Sequence, residues 1–307
     1  MEMTLDESAA FVTTWMGNQV RRKKWIEALR ALVAHGPAAR DAMISIAEKG
    51  LALEESPRYT TNIVAFTWRA VADALVTVAP DDAARVLAPW LGNPRILFQN
   101  HEMDRPTLLD RLVALGDRAR PAAEPLLRWA NTKEIPRWAT EVSAARAALD
   151  TLGIPRDTPY EPMEPKLVAA IEALGGRLGP PRAHTTLSPL DARFASVVWP
   201  EGVSYANKEG KSSKRVWVWS LRWLGLHEDT PAIDLGWGMG LRTATIAHAD
   251  GGNYSVHMTL DVPNDPWVFK TEHDREPGES VTNGMTMSAF LQSLKPEKSR
   301  RAPRKPR

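Results

Sequence analysis

A chain of 307 residues with a 43% hydrophobic fraction and 25% charged residues is long enough to bury two cores rather than one. With no cysteine it holds no disulfide, no thiolate metal site and no cysteine nucleophile. The net charge of +2 hides an acidic body: residues 1–162 carry 20 basic and 21 acidic side chains, residues 163–294 carry 12 and 15, and residues 295–307 carry 7 and 1.

The N-terminus, MEMTLDESAAFVTTW, is acidic where a secretory signal would be basic, and no apolar h-region follows. No run of about 18 apolar residues occurs. A cytoplasmic protein with no membrane partner is the expectation. Thr4 and Glu7 have capping-box spacing ahead of Phe11, Val12 and Trp15, which predicts a first helix. Trp25, Leu29, Leu32 and Val33 mark the apolar stripe of a second, and Val64, Trp68, Val71, Leu75 and Val78 that of a longer one. Pro80-Asp81-Asp82 opens another, with both carboxylates at its positive end.

A weak internal repeat underlies these helices. Leu29, Leu32, Val33, Gly36, Ala39 and Ala42 recur as Leu109, Leu112, Val113, Gly116, Ala119 and Ala122, each 80 residues on. A poorer copy, ALVTVAPDDAARVLAPWL, lies between them. Helix, short turn at Gly or Pro, helix, with a period of about 40, suits an α-solenoid of HEAT-like units. An all-α, HEAT-like domain over residues 1–155 is therefore expected, with a compact non-repetitive bundle as the simpler alternative.

Pro155, Pro159, Pro162 and Pro165 then interrupt the helical pattern, and 156–164 is read as a stiff linker. Beyond it the period mixes. Lys166–Leu174 is predicted helical and stopped by Gly175-Gly176; Ser188–Trp199 is predicted helical with Ser188 as N-cap and Pro189 in the first position. Val216 and Val218 alternate with Trp217 and Trp219, and Tyr254, Val256, Met258 and Leu260 alternate with Ser255, His257 and Thr259. A short strand at Trp267–Phe269 and a closing helix at Met285–Leu294 complete an α+β domain with an antiparallel sheet over 165–295. The tail 296–307, basic and rich in proline, is expected to be disordered. Its simplest role is a solvated end; contact with nucleic acid is expected of no other part of the chain.

Chemistry-bearing residues do not assemble into a catalytic pattern. HADGGNYSVHM, 248–258, gathers His248, Asp250, Asn253 and His257, but Asp250-Gly251-Gly252-Asn253 between two strands is what a tight hairpin requires. Two unassisted histidines are a poor zinc site. Gly236-Trp237-Gly238-Met239-Gly240 lacks both dinucleotide and phosphate-loop spacing. His101-Glu102, His227-Glu228 and His273-Asp274 are followed, four residues after each histidine, by Arg105, Pro231 and Pro277, not by the second histidine of a zinc protease. No catalytic residue, cofactor or metal is expected. Most of the 12 tryptophans are read as core, with an exposed one among those from Trp199 to Trp237 as the alternative, since tryptophan anchors protein interfaces.

The order TIAHADGGNYSVHMTLD, PWVFKTEHDRE, MTMSAFLQSL resembles the SUKH superfamily of Smi/Knr-type domains: a strand, an Asp-Gly turn, a Tyr-bearing strand, a strand running into an acidic His-Asp segment, and a closing Ser-x-x-x-Phe-Leu helix. Here these are Ile246, Asp250–Asn253, Tyr254, Glu272–Asp274 and Met287–Leu291. The resemblance covers about residues 163–295, and 205–215 fits no part of it. It implies a non-catalytic binding protein, in bacteria an immunity protein that binds and neutralises a toxin, often a nuclease. A helical-repeat adaptor with a regulatory SUKH-like domain is the alternative. The partner surface is expected at Asp229, Asp234, Trp237, Asp250, Asn253, Glu272 and Asp274, because an acidic rim suits a basic, nucleic-acid-cutting partner.

Overall fold

The structure is a computed structural model; it describes residues 3–16, 18–54, 61–92, 108–132, 138–180, 187–201, 203–208, 216–221, 243–249, 254–272 and 285–296. The chain divides into two compact units, Met1–Glu161 and Pro162–Arg307.

The first unit is helical: α1 (Leu5–Thr14), α2 (Arg22–Ala34), α3 (Arg40–Glu54), α4 (Thr61–Val78), α5 (Pro80–Leu87), α6 (Leu108–Ala114), α7 (Ala123–Ala130) and α8 (Ala139–Thr151). The capping box forms as spaced: Thr4 Oγ1 accepts from Glu7 N, and Glu7 Oε2 accepts from Thr4 N at 2.9 Å. Among the described helices, neighbours pack as pairs, α1 on α2, α3 on α4 and α7 on α8, and further contacts join helices beyond the neighbour. α2 lies on α4, α4 on α6 and α6 on α8, while α3 lies on α5. Alanines at the contacts (Ala28, Ala47, Ala72, Ala145) are fully buried and let the helices approach closely. Between them sit Trp25, Trp68, Trp90, Trp129 and Trp138, each at most 1% exposed. Tryptophan here is core: Trp25 Nε1 donates to Val12 O at 2.9 Å and Trp129 Nε1 to Leu91 O at 3.2 Å.

The two sequence copies share their turn. Gly36 (φ +56°) follows α2 and Gly116 (φ +55°) follows α6, and each opens a 3-10 segment, Gly36–Ala39 and Gly116–Ala122. Left-handed backbone there explains why both copies keep glycine. A Cβ at Gly116 would meet nothing within 4 Å, so Gly116→Ala tests the conformation alone. It is expected to lower unfolding stability by about 1 kcal/mol in urea titration, the usual cost of φ > 0 for a residue with a Cβ.

An ion-pair chain joins the turns. Arg40 Nη2 lies 2.7 Å from Asp82 at the start of α5, and Arg118 Nε lies 2.9 Å from the adjacent Asp81. One step over, Arg111 clamps Asp73 with Nε and Nη2 at 2.6 and 3.0 Å. Desolvation raises the pKa of Asp82, but its hydrogen bonds and charge contacts with Arg85 and Arg40 outweigh that and leave it below the ordinary value. A depressed carboxylate stabilises the fold above its unfolded-state pKa and loses that contribution as pH falls through its folded one. Asp82→Asn is therefore expected to cost under about 1 kcal/mol at neutral pH, as partly exposed surface pairs do, with the difference from wild type closing as pH falls below the ordinary carboxylate range. Stability curves at stepped pH check it.

The stretch expected as a linker makes contacts within each unit. Asn131 Nδ2 donates to Arg156 O at 3.1 Å, Arg128 Nε donates to Glu161 O at 2.9 Å, and Met163 is fully buried in the second core. Proline blocks helix there without freeing the chain.

The second unit holds α9 (Pro165–Ala173), β1 (Arg177–Leu178), α10 (Pro189–Phe194), β2 (Val197–Val198), β3 (Tyr205–Lys208), β4 (Val216–Leu221), β5 (Thr243–Ala249), β6 (Tyr254–Thr259), β7 (Trp267–Glu272), β8 (Met285–Thr286), α11 (Met287–Ser293) and β9 (Lys295–Pro296). β1 and β2 pair alone. The other strands form one antiparallel sheet in the order β8-β7-β6-β5-β4-β3-β9, a meander closed by the last strand. Leu167, Ile171, Phe290 and Leu291 pack with Val256, Met258 and Val268, so α9 and α11 share one sheet face.

Four expectations change: the closing helix expected from Met285 begins at Met287, because Met285 and Thr286 pair with β7 as β8 and Thr286 caps the helix. The helix from Ser188 stops at Phe194, because Ser196 Oγ bonds back to Arg193 O at 2.7 Å and β-branched Val197 and Val198 follow. Residues 205–208, which fit no pattern, form β3. Pro296, placed in the tail, pairs with Tyr205 as an edge strand, where proline is tolerated; 297–307 lies outside the described residues.

Candidate functional site

Strand register sorts the expected partner-binding residues by sheet end. β5 ends at Ala249 and β6 begins at Tyr254, antiparallel neighbours, so Asp250–Asn253 connects them. Tyr254 pairs with Glu272, which brings Glu272 to the base of that connection, and the chain runs on toward Asp274. Lys208 pairs with Val216 at the same end, where 209–215 joins β3 to β4. The connection bearing Asp229, Asp234 and Trp237 leaves β4 at Leu221 and returns at Thr243, the opposite end. Asp229, Asp234, Trp237, Asp250, Asn253 and Asp274 lie outside the described residues; Glu272 is placed by its backbone.

Register also places the strand tryptophans and histidines. Trp219 stands opposite Tyr205, whose ring is 1% exposed in the core. Tyr205 Oη donates to Leu174 O at 2.7 Å, closing the end of α9, and burial pushes its phenol pKa up. His248 stands opposite Ser220 and Ser255, and His257 opposite Thr245 and Phe269, with its ring stacked on Phe269 at 5.3 Å. Among the described residues no three of His, Asp and Glu are grouped to hold a metal ion, and no helix is long and apolar enough to cross a membrane.

The opposite sheet end is built by polar groups that the sequence analysis did not single out. The β6–β7 connection, Leu260–Pro266, is buried: Asp261 is 2% exposed and Asn264 and Asp265 are fully buried. Loops seldom go inside, because their backbone polar groups must then be satisfied. Asp191 does this for one loop amide, and Asp265, within the loop, fastens it to α11. Asp191 Oδ2, in the first turn of α10, accepts from Asp261 N at 2.9 Å and from Ser188 Oγ at 2.7 Å. Asp265 accepts from Ser288 N at 3.0 Å and Ser288 Oγ at 2.5 Å, and meets Lys166 Nζ at 3.1 Å. At the base of the connection Thr259 Oγ1 accepts from Trp267 N at 2.9 Å and donates to Trp267 O at 3.2 Å. Asp261 (φ +59°) and Asn264 (φ +73°) take the left-handed turns, which Asp and Asn tolerate best.

These carboxylates bind backbone and neighbouring side chains, which is structural work, and they pin α9, α10 and α11 to one end of the sheet. Two signals could have found them: Ser188-x-x-Asp191 has capping spacing, and DVPND is turn chemistry placed between two apolar strands. No family model matches the chain, and neither a curated protein nor a solved structure matches it.

Proposed function

We propose that the chain is a non-catalytic protein-binding protein of the immunity type, whose SUKH-like second unit binds and neutralises a toxin, a nuclease being the kind that the acidic excess of residues 163–294, 15 acidic against 12 basic side chains, suits. The supporting observation is the strand register, which gathers the Asp250–Asn253 connection and Glu272 at one sheet end while buried carboxylates fasten the other. A rigid body with one end built from connections between strands is suited to presenting a binding surface. Asp250 and Glu272 there would meet basic groups of a partner, while Lys208 and the neighbouring 209–215 connection, with Lys211, Lys214 and Arg215, would meet acidic ones. Glu272→Lys is expected to weaken partner binding by about tenfold or more and to flatten its dependence on salt, read by titration calorimetry at two ionic strengths. Unchanged affinity would remove this end of the sheet from the interface.

A second reading has its own observation. Next-but-one helix packing and ion-paired turns are the grammar of a HEAT-like array. The first unit would then be an adaptor surface for a peptide or protein, with the SUKH-like unit regulating it. Partner capture that is insensitive to Glu272→Lys but lost on charge changes along α2, α4 and α6 would favour it.

A further inference from the structure

The first unit carries a feature neither reading uses. α1 and α2 form a hairpin, fixed where Trp25 Nε1 meets Val12 O. At its tip Val20 is 96% exposed, the more exposed of the two large apolar side chains that face solvent among the described residues. Arg21, Arg22, Lys23 and Lys24 follow it, and all four are exposed. They stand at the positive end of α2, whose first turn has no acidic residue and whose cap makes no side-chain hydrogen bond. Cations there oppose the helix dipole. The tip is nonetheless ordered: Arg21 N donates to Asn18 Oδ1 at 3.2 Å, and the Arg21 guanidinium lies 3.9 Å over the half-buried Trp15 ring.

We propose that this hairpin tip docks on an anionic lipid bilayer. Consecutive helical residues point about 100° apart, so the cations form a collar around the axis instead of a stripe along it. A collar meets a planar anionic surface end-on, and leaves the exposed aliphatic Val20 to enter the headgroup layer beside a tryptophan, the residue favoured at that depth. A nucleic-acid groove is read by one side of a helix lying in it, which this arrangement does not offer. The expectation of no membrane partner rested on the lack of a spanning segment, and surface contact needs none.

Sedimentation of the full-length protein with vesicles tests this. Phosphatidylcholine vesicles containing about one-third phosphatidylserine are expected to retain the protein, and pure phosphatidylcholine vesicles are not. The combined change Arg22→Gln, Lys23→Gln and Lys24→Gln should lower partitioning on the order of a hundred-fold, at roughly a factor of five or more per charge. It should leave the protein folded, with a thermal midpoint within a few degrees of wild type, since Lys23 and Lys24 oppose the dipole. Val20→Asn should weaken partitioning several-fold at unchanged net charge. Retention of the triple variant at the wild-type level would overturn the proposal and move any contact to the basic tail. So would tighter binding to duplex DNA than to vesicles that Val20→Asn leaves untouched. If the triple variant does not fold, Lys23→Glu alone is expected to weaken partitioning about tenfold or more, and wild-type retention by it counts equally against the tip.

Discussion

Replacing Asp265 with alanine is expected to destabilise the second unit by about 3–5 kcal/mol, the usual result of removing one partner from a buried ion pair. Asp265 is fully buried, and its side chain satisfies three donors: Ser288 N, Ser288 Oγ and Lys166 Nζ. The Lys166 side chain keeps 30% exposure and can turn partly toward water, but Ser288 N, in the first turn of α11, cannot. The alanine variant leaves that amide buried without an acceptor and releases α11 from the β6–β7 connection. Asp265→Asn keeps the shape and one acceptor while placing an amide NH₂ against donors, so a smaller loss of about 1–3 kcal/mol is expected. Urea titration gives the magnitudes. Hydrogen exchange locates them, with protection expected to fall across β6, β7 and α11. Wild-type stability in the alanine variant would mean that these bonds do not hold the buried connection.

The second large effect is expected in the helical unit. Trp129→Ala should cost about 3–5 kcal/mol, as deletion of a fully buried aromatic does. The Trp129 indole is 0% exposed, meets Trp138 edge-on at 5.6 Å between ring centroids and donates to Leu91 O. It therefore ties α7 to the start of α8 and to the segment after α5. Trp129→Phe retains a ring but no donor and should lose about 1–2 kcal/mol, from the lost hydrogen bond and the space left by the smaller ring. The helical signal in far-ultraviolet circular dichroism reports the transition. A loss below about 1 kcal/mol for the alanine variant would contradict a packed core at this point.

Local chemistry made much of this architecture legible. The Thr4–Glu7 capping box, the Ser188-Pro189 start, the glycine turns and the period-two strands all state their structure within a few residues, and each is found where its pattern falls. What was hidden depends on distant partners. Asp191 and Asp261 are 70 residues apart in sequence, and neither is unusual until the sheet closes. β3 has no alternation of its own and becomes a strand through β4 and β9. The helix expected to reach Trp199 shows the converse: apolar residues continue past Phe194, but Ser196 and two valines favour extended chain, and β2 pairs with β1. Of the expected interface, register brings Glu272 to the Asp250–Asn253 connection, a convergence that depends on β6–β7 pairing and not on any local signal.

The measurement that tests the proposed function most directly is affinity capture of the tagged full-length chain from the cells that express it, at low salt, followed by expression of each captured protein alone. The expected result is one stoichiometric protein that arrests growth by itself, is harmless when this chain is present, and is lost from the capture on Glu272→Lys. Capture of several harmless proteins, retained equally by Glu272→Lys, would contradict the immunity reading and leave the helical unit as the working surface.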